Sequence, residues 1–471
     1  MVFSSSIFLF AFMPLFFAVY YAAPVISKNL VVFVGSTLFY AVTGGGLTLI
    51  LLASIVFNYK CARWIGSSTD GTKQRRLVAI GVAINLLPLL VYKYVPFLLH
   101  AAVDGASLFG LRIRAELHPF IIPAGISFYT FHSISYLIDV YKRKVSPSTS
   151  VIDFGMYMIS FPQLIAGPIV RYAEVVMQIR NRPVRTEQIY AGIWRFVIGL
   201  AKKIIIADSV GRISDQIFAL PAQELTTSIA WLGVIAYTLQ IYYDFSGYSD
   251  MAIGMGRMMG FEFPENFNQP YRSHSITEFW RRWHMTLSRW FRDYVYIPLG
   301  GNQCGAIRTY VNLFVVFLLC GIWHGAAYTF VVWGLYHGLL LVIERVLKDR
   351  FNFTPRGPLA HIVALLLVCV GWVFFRASTL DQAMHFLGVM FDVSHAGTSM
   401  FGPAFYLTPD KCVFLALGAI FAVLPIERIK PQVRGSSLLI SVQTLTMLTL
   451  LIYSASLIAA NGFNPFIYFR F

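Results

Sequence analysis

Apolar residues occur in long runs that short polar stretches separate. The runs lie at about 7–26, 29–43, 46–58, 77–99, 118–140, 151–170, 188–207, 228–247, 309–343, 359–376, 412–426 and 437–460. A perpendicular transmembrane helix needs about 20 apolar residues, and a helix satisfies its own backbone hydrogen bonds in lipid. The pattern therefore predicts an all-α, polytopic integral membrane protein, in which the shorter runs form tilted, broken or re-entrant helices.

The run at 151–170 does not fit a simple crossing. The basic loop 142–144 precedes it, and four arginines follow it within 171–185. Basic loops tend to stay in the cytoplasm, and Pro162 interrupts a helix inside the run. We interpret the run as re-entrant, with Val151 and Glu174 on the same, cytoplasmic side. The alternative is an ordinary span that leaves the arginines outside.

The run at 309–343 contains no Asp, Glu, Lys or Arg. Arg308 precedes it and Arg345 follows it, so both ends favour the cytoplasm and the number of crossings between them should be even. As one helix the run would be about 52 Å long, which is too long for one span and tight for two. Gly321 and Gly325 mark the place where we expect it to break.

The polar-rich stretch 273–301 predicts a different kind of helix. Ser275 and Glu278 form a capping box that starts a helix, and Pro298 helps to end it. One face of this helix is an apolar stripe made of Ile276, Trp280, Trp283, Leu287, Trp290 and Phe291. The opposite face carries Glu278, Arg282, Arg289 and Arg292. Tryptophans opposite arginines are typical of a helix that lies in the membrane interface.

Two groups on this helix allow two interpretations each. On a continuous helix His284 falls about 90° from the centre of the apolar stripe. It is then either an amphipathic edge residue or a group that faces a polar channel, and geometry alone does not decide. Arg281 and Arg282 either anchor the helix to anionic headgroups, which the sequence favours, or bind a phosphorylated cofactor.

Composition and charge support the membrane class. Hydrophobic residues make up 57% of the 471 and charged residues 13%, against about a quarter charged in soluble chains. The net charge of +15 comes from short basic loops between apolar runs, as the positive-inside bias produces. A nucleic-acid partner is excluded, because no folded polar face could carry the charge. We expect one membrane-embedded domain over residues 1–471.

The remaining sequence signals narrow the chemistry. The five cysteines are scattered without a CxxC pair, which predicts neither a disulfide framework nor a zinc site. The first residues lack a basic n-region, so we expect a retained span rather than a cleaved signal peptide. Motifs of serine hydrolases, zinc proteases and nucleotide-binding folds are absent. His324 and His337 do not share a helical face as metal ligands would, so no metal is expected.

The histidines in the 309–343 run raise the question of a base. An intramembrane ionisable group is a functional hypothesis by default, and an imidazole can take a proton from a hydroxyl that attacks an acyl carbonyl. The alternative for His324 is a core histidine that bonds a carbonyl across helices. For an isolated histidine that alternative is favoured, so the spacing does not decide between them.

Several segments resemble the membrane-bound O-acyltransferase family. They are "WHG" at 323–325, "FWRRWHMTLSRWFRDYVYIPLGGN" at 279–302, "YYDFSGYSDMAIGMGRMMGF" at 242–261, "ENFNQPY" at 265–271, "PAGISFYTFHSISYLIDVY" at 123–141, "LIAGPIVRY", the opening "MVFSS" and the ending "PFIYFRF". The similarity covers nearly the whole chain. It is greatest to the bacterial alginate O-acetylation branch, which includes relatives that acetylate cellulose.

The resemblance implies about eleven transmembrane helices, plus re-entrant and interfacial helices, enclosing a central tunnel. It implies that His324 of the WHG motif is the catalytic base and that His284 of the RWH motif is its partner on the acyl-donor side. On the same basis we expect substrate-binding residues in the shared motifs: Trp323, Arg281, Arg282, Tyr243, Asp244, Ser246, Asn266 and Gln269.

The function implied is transfer of acetyl groups from cytoplasmic acetyl-CoA across the bacterial inner membrane, for O-acetylation of an exopolysaccharide such as alginate or cellulose. The expected partners are acetyl-CoA, a periplasmic SGNH-type acetyltransferase or acceptor protein, the polysaccharide synthesis and export machinery, and membrane lipids. No bound cofactor is expected. The alternative is a multipass transporter or polysaccharide-export channel, which the WHG and RWH motifs argue against.

Overall fold

The computed structural model describes residues 2–110, 122–165, 167–392, 401–424, 437–461 and 466–467. All regular secondary structure in these ranges is helical, so the predicted all-α class is confirmed. Parts of three predicted features lie outside the described residues: 118–121 of one apolar run, 425–426 of another, and most of the ending 465–471.

The chain forms two compact units, described here one at a time. The first comprises Met1–Ile189 with Met255–Pro264, and the second comprises Tyr190–Gly254 with Glu265–Phe471. The expectation of one membrane-embedded domain over the whole chain stays a prediction.

The helices of the first unit are short to medium in length. They are α1 (Met13–Ala22), α2 (Lys28–Gly44), α3 (Thr48–Ser67), α4 (Gly71–Leu89), α5 (Val95–Leu108), α6 (Ile126–Tyr141), α7 (Val151–Ile159), α8 (Phe161–Leu164) and α9 (Tyr172–Arg180). π-helical turns at Phe8–Phe12 and Leu90–Tyr94 continue into α1 and α5. Short 3-10 turns at Val25–Ser27 and Gly45–Leu47 lead into α2 and α3.

The second unit contains the longer helices. They are α10 (Thr186–Ala201), α11 (Asp208–Phe218), α12 (Thr227–Met258), α13 (Ile276–Arg282), α14 (Met285–Phe291), α15 (Ala306–His324), α16 (Tyr328–Phe351), α17 (Gly357–Arg376), α18 (Leu380–Phe391), α19 (Pro403–Tyr406), α20 (Pro409–Val423) and α21 (Ser437–Asn461). The first residues of α10 and the last turn of α12 belong to the first unit. π-helical turns at Lys202–Ala207 and Arg292–Tyr296 link α10 to α11 and extend α14. Further 3-10 turns lie at Ala222–Glu224 and Pro270–Arg272.

Six helical segments of the described chain are long and apolar enough to cross a membrane. They are Val25–Ser67, Gly71–Leu108, Ala306–His324, Tyr328–Phe351, Gly357–Arg376 and Ser437–Ala460. They carry many exposed large apolar side chains, as helices in contact with lipid do. The polytopic membrane class is therefore confirmed, whereas the expected number of about eleven spans is not.

Two glycine pairs let α10 and α12 approach closely. A Cβ atom on Gly199 would lie 2.5 Å from the carbonyl oxygen of Gly247, and one on Gly254 would lie 2.6 Å from that of Gly192. The pairs are seven residues apart on both helices, so they fall on one face of each. Small residues at such positions let helix backbones touch in a membrane protein. The contact fixes α12, which carries several of the predicted site residues.

The run at 151–170 is not a continuous helix. Its first helix, α7, has nine residues and is about 14 Å long, less than half the hydrocarbon thickness. Ser160 ends α7 with an extended backbone, and the four-residue α8 follows. The ordinary-span alternative is therefore wrong for this run. The expected cytoplasmic location of both its ends stays a prediction.

A labelling experiment tests that location. In a background without the native cysteines, Val151→Cys and Met177→Cys place thiols at exposed positions, which are 43% and 72% accessible. We expect both thiols to react with a membrane-impermeant maleimide only after the cytoplasmic face is opened, because basic flanks retain both ends there. Labelling of Met177→Cys in intact spheroplasts would show that the run crosses the membrane.

Candidate active site

The start of α13 is fixed by polar contacts that the capping box only partly predicts. The Ser275 hydroxyl accepts a hydrogen bond from the amide of Glu278 at 3.0 Å, as expected. The Glu278 carboxylate, however, accepts from the amide of His274 at 2.9 Å. Glu344 of α16 supplies two more acceptors to the amides of Ile276 and Thr277. A carboxylate at this end of a helix also interacts favourably with the helix dipole.

The predicted single helix over 276–291 is wrong, because the chain breaks at Trp283 and His284. Trp283 ends α13 in an extended conformation, and His284 adopts the left-handed region with φ 42° and ψ 52°. The angular position derived for His284 on a continuous helix therefore does not apply. His284 is instead the residue that caps α14, and its side chain is fully buried.

A neighbouring extended segment holds the break in place. The backbone amide of Asn268 donates to the carbonyl of Arg282 at 2.9 Å, and the amide of Met285 donates to the carbonyl of Asn266 at 2.9 Å. These two bonds bracket Trp283 and His284. They satisfy backbone groups that the interrupted helix leaves without partners.

The tryptophan stripe packs against protein. All six residues of the stripe are buried. The Trp280 ring contacts Phe317 and Trp333 with centroids at 4.9 and 5.6 Å, and Trp283 contacts Trp372 at 4.9 Å. The stripe is therefore part of the core of the second unit, and the interpretation of this face as a lipid-facing one is wrong. Aromatic stripes at helical spacing look the same in sequence whether protein or lipid covers them.

His284 is surrounded by polar groups on one side and aromatic rings on the other. Its Nδ1 lies 3.0 Å from Oδ1 of Asn266. The ring of Phe245 on α12 meets it edge-on at 4.7 Å between centroids. His284 lies outside the candidate membrane helices, and burial lowers the pKa of its imidazole well below the ordinary value. The imidazole is therefore neutral at pH 7.

His324 is the last residue of α15, at the tip of a helical hairpin. The helices α15 and α16, of 19 and 24 residues, are each about 28 Å long or more and so can each span a membrane. The break predicted between Gly321 and Gly325 is confirmed, since α15 ends at His324. A Cβ on Gly325 would collide with the Phe330 ring, and one on Gly321 would collide with the Phe330 carbonyl.

The two histidines of the WHG and RWH motifs lie side by side. Their ring centroids are 6.4 Å apart, and both side chains are at most 3% exposed. Trp323 contacts both rings, at 4.8 Å from His324 and 6.2 Å from His284. Trp333 and Phe375 pack edge-on against His324 at 5.1 and 5.3 Å. The result is a desolvated pair of imidazoles in an aromatic enclosure.

His337 has a different environment from His324. Its Nδ1 accepts a hydrogen bond from the indole N–H of Trp280 at 3.3 Å, and the rings of Trp280 and Trp333 pack against it. His337 therefore matches the description of a core histidine that bonds a neighbouring helix. The sequence alone could not distinguish it from His324.

The other predicted site residues divide into two groups. Asn266 and Trp323 contact the histidine pair. Tyr243 instead donates to the Gly418 carbonyl at 2.7 Å, and Gln269 donates to the Leu424 carbonyl at 2.5 Å. Asp244 pairs with Lys203 at 2.7 Å. These three residues use their polar groups to join segments of the second unit.

Ser246 and the two arginines complete the predicted set. The Ser246 hydroxyl is buried and has no hydrogen-bond partner among the described residues. Arg282 forms an ion pair with Glu278 at 2.9 Å and donates to the carbonyl of Asn268. Arg281 is exposed, and no ion pair involves it in the part of the chain described. Arg281 is therefore the arginine better able to meet a phosphate.

Sequence reasoning missed two residues that hold Asn266. Thr286 donates its hydroxyl proton to Oδ1 of Asn266 at 2.8 Å, and Ser249 of α12 accepts from Nδ2 of Asn266 at 3.1 Å. Both side chains are buried. A polar residue two positions after the RWH histidine was a visible signal for Thr286. The pairing with Ser249 depends on how the segments pack.

Comparison with known proteins addresses the origin of this arrangement. Residues 141–378 match the profile of MBOAT, the membrane-bound O-acyltransferase family. The chain belongs to that family. The matched residues include both histidines and the whole hairpin that carries His324. Together with the apolar helices, membership of this family makes the chain a multi-pass membrane enzyme that transfers acyl groups to oxygen.

The relatives of this O-acyltransferase are bacterial. The chain is 46% identical to the "Probable alginate O-acetylase AlgI" of Pseudomonas aeruginosa over 83% of this chain and 75% of that protein. It is 40% identical to the protein of the same name in Azotobacter vinelandii over the full length of both. It is 36% identical to a "Peptidoglycan O-acetyltransferase" of Helicobacter pylori over 82% and 79% of the two chains. A bacterial inner-membrane location follows.

The hairpin that positions His324 gives a stability test. Gly321→Val should lower the unfolding midpoint of the detergent-solubilised protein, because the new side chain meets backbone atoms of Phe330 and Gly334. Overpacking of this kind costs about 1–3 kcal/mol. Gly388→Ala on α18 is the matched control, since a Cβ there meets nothing within 4 Å. Equal midpoints for Gly321→Val and wild type would refute the close approach.

Proposed function

We propose that this enzyme transfers acetyl groups from cytoplasmic acetyl-CoA across the inner membrane for O-acetylation of an exopolysaccharide. The names of its relatives, an alginate O-acetylase and a peptidoglycan O-acetyltransferase, support O-acyl transfer to polysaccharides. Acetyl-CoA as donor, outward transfer of the acetyl group and the identity of the polysaccharide are parts of the proposal. Its main support within the chain is the buried pair His284 and His324.

The proposed chemistry needs a base and a donor thioester. A ring nitrogen of His324 takes the proton of an acceptor hydroxyl as its oxygen attacks the acetyl carbonyl. The carbon–sulfur bond breaks, the acetyl group moves to oxygen, and the departing thiolate of coenzyme A takes up the proton. A neutral imidazole suits this step, and a positioned base contributes roughly 10²–10⁴-fold in rate. No metal ion is needed for it.

The substrate contacts belong to the same proposal. Trp323 touches both imidazoles and would form a wall of the acyl site. Arg281, which is exposed, and Arg282, which also holds Glu278, would meet the phosphates of the donor, because guanidinium groups bind phosphates in fixed geometry. Tyr243, Asp244, Ser246 and Gln269 would act mainly by shaping the unit around the site.

We also propose the partners of the reaction. A periplasmic SGNH-type acetyltransferase or another acceptor protein would receive the acetyl group, and the polysaccharide synthesis and export machinery would lie nearby. The alternative of a transporter or export channel without acyl transfer has no observation in its favour. Membership of an acyltransferase family argues against it.

Replacing His324 tests the base. His324→Ala should reduce acetyl transfer by about 10²–10⁴-fold, with donor binding and protein level near wild type. His284→Ala should reduce the rate less, since we assign it to orientation. His385→Ala, at an exposed position of α18, is the control and should leave the rate unchanged. A well-folded His324→Ala protein that keeps about half the wild-type rate would end this assignment.

Replacing the arginines tests the donor site. Arg281→Gln combined with Arg282→Gln should raise the apparent KM for acetyl-CoA several-fold while protein level in the membrane holds. The loss of two phosphate contacts is the physical reason. Arg281→Gln alone should retain most of this effect without loss of stability, because Arg281 makes no ion pair in the described part of the chain. Arg356→Gln serves as an exposed control. Poor membrane insertion with an unchanged KM would show that the arginines only anchor the helix.

A further inference from the structure

The side-chain amide of Asn266 is held in one orientation. Its Oδ1 receives hydrogen bonds from the Thr286 hydroxyl at 2.8 Å and the Thr286 amide at 3.4 Å, and His284 Nδ1 lies 3.0 Å away. Its Nδ2 donates to the Ser249 hydroxyl at 3.1 Å. A reversed amide would place an NH2 group against the backbone N–H of Thr286, and two donors would then face each other. The oxygen of Asn266 must therefore point toward His284.

That orientation determines which ring nitrogen of His284 carries the proton. An amide oxygen only accepts hydrogen bonds, so Nδ1 of His284 must be the donor. A neutral imidazole has a single N–H, and its other nitrogen is then an acceptor. Nε2 of His284 is buried and has no hydrogen-bond partner among the described residues. It is the ring atom that remains for a substrate hydroxyl or for water.

We propose that Asn266 is a positioning residue that locks His284 in the Nδ1–H tautomer, so that Nε2 serves as a hydrogen-bond and proton acceptor in the acetyl-transfer site. This inference rests on the proposed function for its chemistry. It replaces the expectation that Asn266 binds substrate, since the amide oxygen and nitrogen are already engaged by protein. Fixed tautomers of this kind are usually set by the partner of the second ring nitrogen.

The backbone around Asn266 supports a positioning role. The Asn266 carbonyl accepts from the amide of Met285 at 2.9 Å, directly after His284. One residue therefore holds both the main chain beside His284 and the Nδ1 of its ring. Displacing Asn266 would move the imidazole as well as release its proton.

The charged groups near His284 leave its protonation to this contact. His324 on α15 is the titratable side chain among the ring contacts of His284; Phe245 and Trp323 do not titrate. On α12, Asp244 is paired with Lys203 and Asp250 with Arg195 and Lys202. Glu265, which precedes Asn266, is paired with Arg195.

The test compares two variants of Asn266 by the pH dependence of acetyl transfer in membrane vesicles. Asn266→Asp keeps an acceptor for Nδ1–H and for Thr286, but its negative charge stabilises the imidazolium form. The acid limb of the pH–rate profile should therefore move up by about 1–3 units, with activity recovering at high pH. Asn266→Leu should lose activity by about 10–100-fold at every pH.

Control variants separate positioning from folding. Asn312→Asp changes a buried asparagine of α15 that bonds the carbonyls of Leu299 and Gly301, and it should not move the acid limb. Unfolding midpoints of all variants check that they are folded. A purely structural role for Asn266 would make Asn266→Asp and Asn266→Leu lose activity alike, with no shift of the limb, and would overturn the proposal.

A second measurement does not depend on activity. In protein labelled with ¹⁵N at histidine, the signal of His284 is identified by its absence in His284→Gln. Wild type should show a protonated Nδ1 and an unprotonated Nε2, and Asn266→Leu should show a mixture. A wild-type ring protonated at Nε2 would refute the inference. Absence of acetyl transfer by wild type, with the tautomer as expected, would instead refute the proposed function alone.

Discussion

The break in the chain at Trp283 and His284 is the constraint on which the site depends. A left-handed backbone at a residue other than glycine costs about 1–2 kcal/mol. The backbone hydrogen bonds to Asn266 and Asn268, together with the bond from the His284 ring, each contribute about 1 kcal/mol and so offset that cost. Without the break His284 would remain on the edge of a helix. With it, the imidazole turns into the buried enclosure beside His324.

Desolvation then determines the chemical character of the site. Burial disfavours the charged form of an imidazole, so the protein keeps a neutral base where a proton must be accepted. The aromatic side chains Trp323, Trp333 and Phe375 keep water from His324, and hydrogen bonds inside such an enclosure are stronger than in water. The carboxylates on α12 are not left unpaired in this environment. Lys203, Arg195 and Lys202 neutralise them, because an uncompensated buried charge is strongly destabilising.

The hairpin of α15 and α16 supplies the second half of the pair. Gly321 and Gly334 let the two backbones touch, and Gly325 leaves room for the Phe330 ring. His324 is consequently fixed at the end of a rigid helix, and the broken helix opposite it carries His284. Two elements with different backbone solutions thus bring two imidazoles within 6.4 Å. Neither element could do so alone.

The sequence by itself determined the helical membrane class, the family motifs, the hairpin break near Gly321 and Gly325, and the start of α13 at Ser275. These features follow from hydropathy, turn residues and capping, which act over a few neighbouring residues. Only the tertiary structure decided that the helix over 276–291 is broken, that protein covers its tryptophan stripe, and that His337 is a core histidine while His324 faces His284. The same holds for Asn266, Thr286 and Ser249. Their roles depend on contacts between segments distant in sequence, for which local periodicity carries no information.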